Sequence, residues 1–347
     1  MSDKINFVGE YLLSSIGGAE KSIYNELKEI SKRYCVKAYT FDKFYKKGIF
    51  KKDFEIINFG LKKTFDVSRF IEIYYLNEKF ITKKLNFIKN ELINSEFIIT
   101  QTLIAPIVAD FCIKHKIKYH YYLRDELQLN IFKNYEKGFR YILKLIKTFV
   151  ELPLIEKYKK MNEKALLNAD KIIVNSKFMQ KFLYEKFGLK SEVKYPKIDE
   201  KYFLKIKLNK KEKKYITFIG GENAMKGYDI VLKIAKKLPE EYFLIVGPYK
   251  KKFRKKNILF IPFQKNILNI YKKTKILLVP SRWNEAFGRT VVEANLLGIP
   301  AITSNRGGLP ESNKNKDLII ENLENIEIWI EKIKKYLKYG KKQKDQR

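Results

Sequence analysis

Glu285 and Glu293 stand eight residues apart in the segment Ile276 to Glu311 and flank the start of a helix. Ile276 to Val279 is a short apolar run of buried-strand character, 280–287 reads as a loop, and Gly288 opens a helix that Gly298 and Pro300 close. Glu293 then lies about 7 Å up the helix axis from Gly288, at a rise of about 1.5 Å per residue. Unpaired N–H groups and the positive end of the helix dipole favour an anion at such a terminus. A pyrophosphate placed there leaves Glu293 within reach of a ribose diol, and Glu285 facing whatever lies beyond the second phosphate. If that group is a sugar, Glu285 and the N–H groups of Phe287, Gly288 and Arg289 can orient its hydroxyls, with Thr290 in the same turn.

A second candidate anion site is FIGGENAMKGYDIVLKIAKKLP, Phe218 to Pro239. A strand runs into Gly220-Gly221, and Lys226-Gly227 precedes a helix that ends near Pro239. Glycines let the backbone approach a phosphate closely, and a lysine at the helix head supplies a point charge; an ordinary turn would use the same residues. In the first half, Gly17-Gly18-Ala19-Glu20 opens a helix running to about Arg33. By itself it reads as a tight turn before a helix.

The elements that must position these residues alternate along the chain. Strand patterns occur at Ile5 to Val8, Val36 to Thr40, Phe54 to Asn58, Phe97 to Thr100, Tyr119 to Leu123, Ile172 to Asn175 and Glu192 to Tyr195, with helical patterns between. The segment Lys194 to Asp199 and the lysine-rich stretch after it mark a boundary. The pattern then restarts with Tyr215 to Ile219, Phe243 to Val246, Ile258 to Ile261, Ile276 to Val279 and Ala301 to Thr303. Such alternation predicts an α/β protein of two domains, each a parallel sheet wrapped by helices, divided as 1–198 and 199–347.

The segment around the two acids resembles the glutamate, seven residues, glutamate signature of retaining glycosyltransferases of family 4 (glycosyl transferases group 1). The shared residues are Pro280-Ser281, Phe287-Gly288, Glu293-Ala294, Gly298-Ile299-Pro300 and Gly307-Gly308-Leu309-Pro310-Glu311. Ala169 to Ser176, with Ser176 placed as a helix N-cap, and Tyr195 to Asp199 resemble the family more loosely. The resemblance implies a GT-B fold, two Rossmann-like doubly wound parallel-sheet domains facing across a cleft. The first would be the acceptor-side domain; the second would bind the nucleotide-sugar and carry a terminal helix and basic tail. It further implies transfer of a hexose-type sugar from a UDP-, GDP- or ADP-linked donor to a glycan or lipid-linked acceptor, with retention of configuration and no protein-bound metal or cofactor. In that reading Lys226 and the helix after Phe287 hold the diphosphate, Glu285 orients the donor sugar and Glu293 the ribose. Gly17 and Gly18 would approach the donor phosphates.

Three features depart from the family pattern. Gly221 occupies the place of an arginine that usually joins the lysine on the pyrophosphate, so Arg289 or a nearby lysine is expected to substitute. Arg124-Asp125 stands where many members have histidine and aspartate; either the two pair structurally or one of them, with Asp125 the catalytic candidate, faces a sugar. Only one amphipathic helix, about Ile326 to Tyr339, and a basic tail follow the last motif, so a brace between the domains is expected to be short or absent. His120 alternates with tyrosines in its strand and is expected to pack in the core.

Composition bounds the remaining possibilities. The 347 residues carry 72 Lys and Arg against 39 Asp and Glu, a net charge of +33. This is either a compositional bias spread over a solvated surface or an attraction to an anionic membrane surface, because basic residues lie beside large apolar ones, most densely in Lys133 to Lys160. The chain shows no zinc-finger or RNA-recognition signature, and nucleic acid is not expected. It shows no apolar run long enough to span a bilayer and no cleavable signal pattern, which predicts a cytoplasmic protein, peripheral on the inner membrane face if the charge is functional. Cys35 and Cys112 have no partner spacing, and two histidines give no basis for a transition-metal site. A GT-B sugar-nucleotide epimerase and a noncatalytic basic binding protein are the alternatives to a transferase.

Overall fold

The computed structural model describes residues 3–13, 18–61, 68–129, 139–209, 212–264 and 266–345. The chain divides into two compact units, Met1–Lys197 and Ile198–Arg347.

In the first unit, β1 (Lys4–Gly9), β2 (Cys35–Thr40), β3 (Gly48–Lys51), β4 (Glu55–Asn58), β5 (Phe97–Gln101), β6 (Tyr119–Leu123), β7 (Lys171–Val174) and β8 (Glu192–Val193) form one sheet. Their order is β3-β4-β2-β1-β5-β6-β7-β8. The pairings are parallel except that of β3 with β4. The helices are α1 (Gly18–Ile30), α2 (Glu78–Phe87), α3 (Lys89–Ile93), α4 (Ala105–His115), α5 (Phe139–Leu167) and α6 (Lys177–Phe187). Ile5 and Phe7 of β1 pack with Ile23 and Leu27 of α1, which lie four residues apart on one helix face. Ser176 caps α6 by accepting from the Met179 N–H at 3.1 Å, and Gly188 ends that helix with φ +67°. His120 stacks on Phe97 with ring centroids 3.9 Å apart. Burial, and then nearby Lys171, push its pKa down to about 4.

In the second unit, β9 (Tyr215–Ile219), β10 (Tyr242–Gly247), β11 (Phe253–Lys255), β12 (Ile258–Pro262), β13 (Thr274–Val279), β14 (Ala301–Ser304) and β15 (Ile319–Ile320) form the second sheet. The order is β11-β12-β10-β9-β13-β14-β15, antiparallel only at β11. Its helices are α7 (Glu200–Leu204), α8 (Tyr228–Lys237), α9 (Leu268–Tyr271), α10 (Arg289–Leu296), α11 (Leu309–Ser312) and α12 (Ile326–Asp345). The apolar face of α8, Ile230, Val231 and Ile234, packs on Phe218 and Phe243. Trp329, Ile330 and Ile333 of α12 enter the same core, and the Trp329 indole donates to the Leu323 carbonyl at 3.0 Å. From β9 the chain steps through β10 to β12 on one side, then returns to β13 on the other. The strand order therefore reverses between β9 and β13, where open α/β sheets bind ligands beyond their carboxyl ends.

The strand patterns recover the parallel strands except the short edge strand β15, and miss the two antiparallel edges. β3 and β11 are antiparallel and largely exposed, so neither presents the apolar run that marks a buried strand; edge strands are commonly short and charged. The two-residue β15 is too short to show any period, and α12 runs past the expected Tyr339.

Candidate functional site

The loops after β9 and β13 converge at the strand-order reversal, and they carry the two motifs. Asn223 accepts from the Met225 N–H at 2.9 Å and starts the tight turn Ala224–Lys226. Gly227 follows with φ +80°, and a Cβ there would lie 2.0 Å from the Pro280 carbonyl oxygen. Only glycine permits that approach. The Arg282 N–H donates to the Met225 carbonyl at 2.8 Å, so the two loops are tied through their backbones.

This tie brings Lys226 to Glu285. Lys226 Nζ lies 2.5 Å from Glu285 Oε1, to which Ser281 Oγ also donates at 3.0 Å. The Glu285 carboxylate is mostly buried, and the lysine about one-third exposed. The Glu285 backbone is held in turn by a bridge to Gly307 and by the Gly308 N–H, which donates to its carbonyl at 2.6 Å. Gly307 has φ +61°, and a Cβ there would come within 2.3 Å of the Glu285 carbonyl oxygen.

Gly288 precedes α10 with φ +105° and offers no side-chain cap. The first-turn N–H groups of a helix have no intrahelical acceptors, and Gly288 supplies no side chain to cap them. One turn on, Glu293 Oε2 accepts from the Tyr271 hydroxyl at 2.8 Å. Burial and the adjacent carboxylate raise the Tyr271 pKa far above the ordinary phenol value, which keeps that hydroxyl a donor. Arg289 Nη2 lies 3.7 Å from Glu293 Oε1. The structure thus places Glu285, Phe287, Gly288, Arg289, Thr290 and Glu293 along one loop and helix, with Lys226 beside the first of them.

Gly221 has φ +59° and sits against the end of β10, where a Cβ would meet Pro248 Cδ at 2.7 Å and Gly247 Cα at 3.3 Å. An arginine here would be strained and would crowd Pro248. The arginine closest in chain to Glu285 is Arg282, which the sequence reading did not single out. It is nearly buried and bound bidentately to Asp229 at 2.5 and 2.9 Å and to Glu324 at 2.6 Å. Its charge clamps the loop to α8. Tyr271 was likewise missed, since a lone hydroxyl carries no spacing signal, and Ser281, part of the shared pattern, had been given no role.

In the first unit, Gly18 opens α1, while Gly17 lies outside the described residues. Arg124 corrects one expectation: rather than pairing with Asp125, its guanidinium Nη2 donates to Glu26 at 3.2 Å and its Nε to Gln101 at 3.2 Å. Tyr122 donates to Glu26 at 2.6 Å, and Lys194 pairs with the same carboxylate. Burial penalises the Glu26 carboxylate, but Arg124, Lys194 and Tyr122 outweigh it and hold the pKa below the usual range. The physical reason is reach: β6 ends beside α1, and a buried guanidinium takes the carboxylate that is buried with it. Asp125 is half-buried just after β6, its N–H 3.3 Å from Gln128 Oε1.

A further cluster lies directly after β1. Glu10 and Glu72, both buried, share the Arg69 guanidinium, and Lys43 Nζ stands 2.5 Å from Glu72 Oε1. Glu10 also accepts from the Ile104 N–H at 3.1 Å. Arg69 and Glu72 are three residues apart, while Glu10 and Lys43 are distant from them in sequence, and the four carry no motif. Among the described residues, no three His, Cys, Asp or Glu side chains gather as a metal site.

The two units together have the fold of GT-B glycosyltransferases. Sucrose-phosphate synthase from Thermosynechococcus elongatus superposes with a TM-score of 0.69 at 14% identity, covering 96% of this chain and 90% of that one. Anabaena HepE in complex with UDP and glucose superposes with a TM-score of 0.67 at 16% identity, covering 96% and 90%. Residues 200–347, the unit that carries both glutamates and Lys226, match the family model described as Glycosyl transferases group 1. An uncharacterized 41.2 kDa protein in the cps region of Klebsiella pneumoniae is 35% identical over 103 residues, 27% of this chain and 28% of that protein. The chain spans under a third of the length of the curated relatives it matches.

Proposed function

We propose that this protein is a retaining glycosyltransferase of family 4 that moves a hexose-type sugar from a nucleotide-sugar to a glycan or lipid-linked acceptor in cell-surface glycan assembly. The observation that carries the reading is the Lys226–Glu285 pair at the strand-order reversal, with α10 uncapped by a side chain at Gly288 and Glu293 one turn beyond. The donor diphosphate takes the α10 N-terminus and Lys226, Glu293 accepts from the ribose hydroxyls, and Glu285 turns to the sugar. As the glycosidic C–O bond breaks, negative charge grows on the diphosphate and positive charge on the ring. A prealigned cation and N–H groups stabilise that separation more than they stabilise the bound donor. The acceptor hydroxyl attacks on the face the diphosphate leaves and gives it its proton, so no protein nucleophile is required. The first unit takes the acceptor, with Asp125 the candidate to contact a sugar.

The complex of Anabaena HepE with UDP makes UDP the first ligand to try. Titration calorimetry of the full chain with UDP, GDP and ADP tests the reading. One of them should bind, and its sugar conjugate should transfer label to a glycan or lipid fraction. Binding of none would leave a noncatalytic basic protein. Release of nucleotide and altered sugar without an acceptor would leave an epimerase.

A further inference from the structure

We infer that the first half of α5 is a docking surface for an anionic lipid bilayer, independent of the glycosyl-transfer reading. The inner face of α5 is packed: Glu151, Ile155, Tyr158 and Asn162 are buried. On the opposite side, Ile142, Leu145, Ile146, Phe149 and Val150 are all exposed, Phe149 by 75% and Val150 by 68%. At about 100° per residue these five fall within an arc of roughly 140°, a continuous stripe about 12 Å long. From Glu156 onward the outer face changes character, and Glu156, Lys157, Lys160, Glu163 and Lys164 occupy it, exposed. One helix therefore shows water a polar face in its second half and an apolar face in its first. An exposed stripe of that kind marks an interaction surface.

Charge selects the partner. Between Glu136 and Glu151 the sequence holds Lys137, Arg140, Lys144 and Lys147 and no acid, and Lys147 is exposed beside the stripe. A second copy of this chain would bring the same cations against them, on molecules that each carry +33. An anionic interface accepts both features, with apolar side chains entering the acyl boundary and lysines meeting headgroups. Among the described residues no helix is long and apolar enough to cross a membrane, so α5 lies along the surface.

Co-sedimentation of the full chain with phosphatidylcholine vesicles, with and without phosphatidylglycerol, tests this. The chain should bind only the anionic vesicles and be released at about 1 M salt, where the Debye length falls to about 3 Å. The double variant Ile146→Ser, Phe149→Ser leaves the charge unchanged and should lower the partition coefficient by about tenfold or more, while its thermal unfolding and nucleotide binding stay those of the parent. Phe149→Trp should show a blue-shifted emission on anionic vesicles only. Equal binding by the parent and the double serine variant would overturn the surface and leave bulk charge as the cause. Binding to neither vesicle, with a parent dimer in sedimentation that the serine variant dissociates, would overturn it in favour of a second copy.

Discussion

Lys226 Nζ and Glu285 Oε1 are 2.5 Å apart, and Ser281 Oγ donates to the same carboxylate oxygen. The cation and the acid are 59 residues apart in the chain and meet because Gly227 packs on the Pro280 carbonyl. In the proposed reaction a donor replaces this contact with two others, phosphate on the lysine and a sugar hydroxyl on the glutamate. The pair thus fixes where both side chains stand relative to each other.

Replacing Lys226 with alanine should lower turnover by about 100-fold, the usual scale for losing one stabiliser of a developing oxyanion. Affinity for the bare nucleoside should change little. Steady-state kinetics and calorimetry on the same preparation separate the two, and equal losses in both would move Lys226 to ground-state binding.

Glu293→Ala should weaken nucleotide binding by about 10- to 100-fold, as expected for lost hydrogen bonds to a charged group. Tyr271→Phe removes only the hydroxyl that orients Glu293 and should produce a smaller loss in the same direction. An affinity for the 2′,3′-dideoxy nucleotide that is insensitive to both substitutions would confirm that the ribose diol is what Glu293 reads.

Gly221→Arg restores the residue of the family pattern, yet it should destabilise the protein by about 1–3 kcal/mol, the range for a side chain forced into a left-handed backbone conformation. Urea denaturation measures this. An arginine variant as stable as the parent, with faster turnover, would show that the loop can rearrange to take the larger residue.

His120 gives a pH dependence of known sign. Its folded pKa, about 4, lies below the ordinary 6.5, so between those values the unfolded chain binds a proton that the folded chain resists. The stability from neutral His120 is complete above pH 6.5 and is lost as pH falls to about 4. His120→Gln should flatten unfolding free energy across that interval, and proton NMR of the parent should place the imidazole midpoint near 4.

The sequence was most legible where burial is two-sided. The parallel strands β1, β5, β6, β9 and β13 show as apolar runs because helices cover both faces. The loop and helix from Pro280 to Leu296 could be placed because Gly288, Gly298 and Pro300 punctuate them. What stayed hidden depends on partners far apart in sequence. Arg124 finds Glu26 rather than adjacent Asp125, and Arg69 reaches Glu10, 59 residues away, because contacts between distant segments leave no spacing. Gly221 was visible as a departure, but its left-handed φ against Pro248 was not.

Gly307 and Gly308 hold the Glu285 strand-like turn by main-chain atoms alone, with 2.3 Å between a hypothetical Gly307 Cβ and the Glu285 carbonyl oxygen. Side-chain drift elsewhere in the loop cannot easily retune where that acid stands. The main chain thereby sets the seat of that acid, and substitutions that spare Gly307 and Gly308 leave it in place.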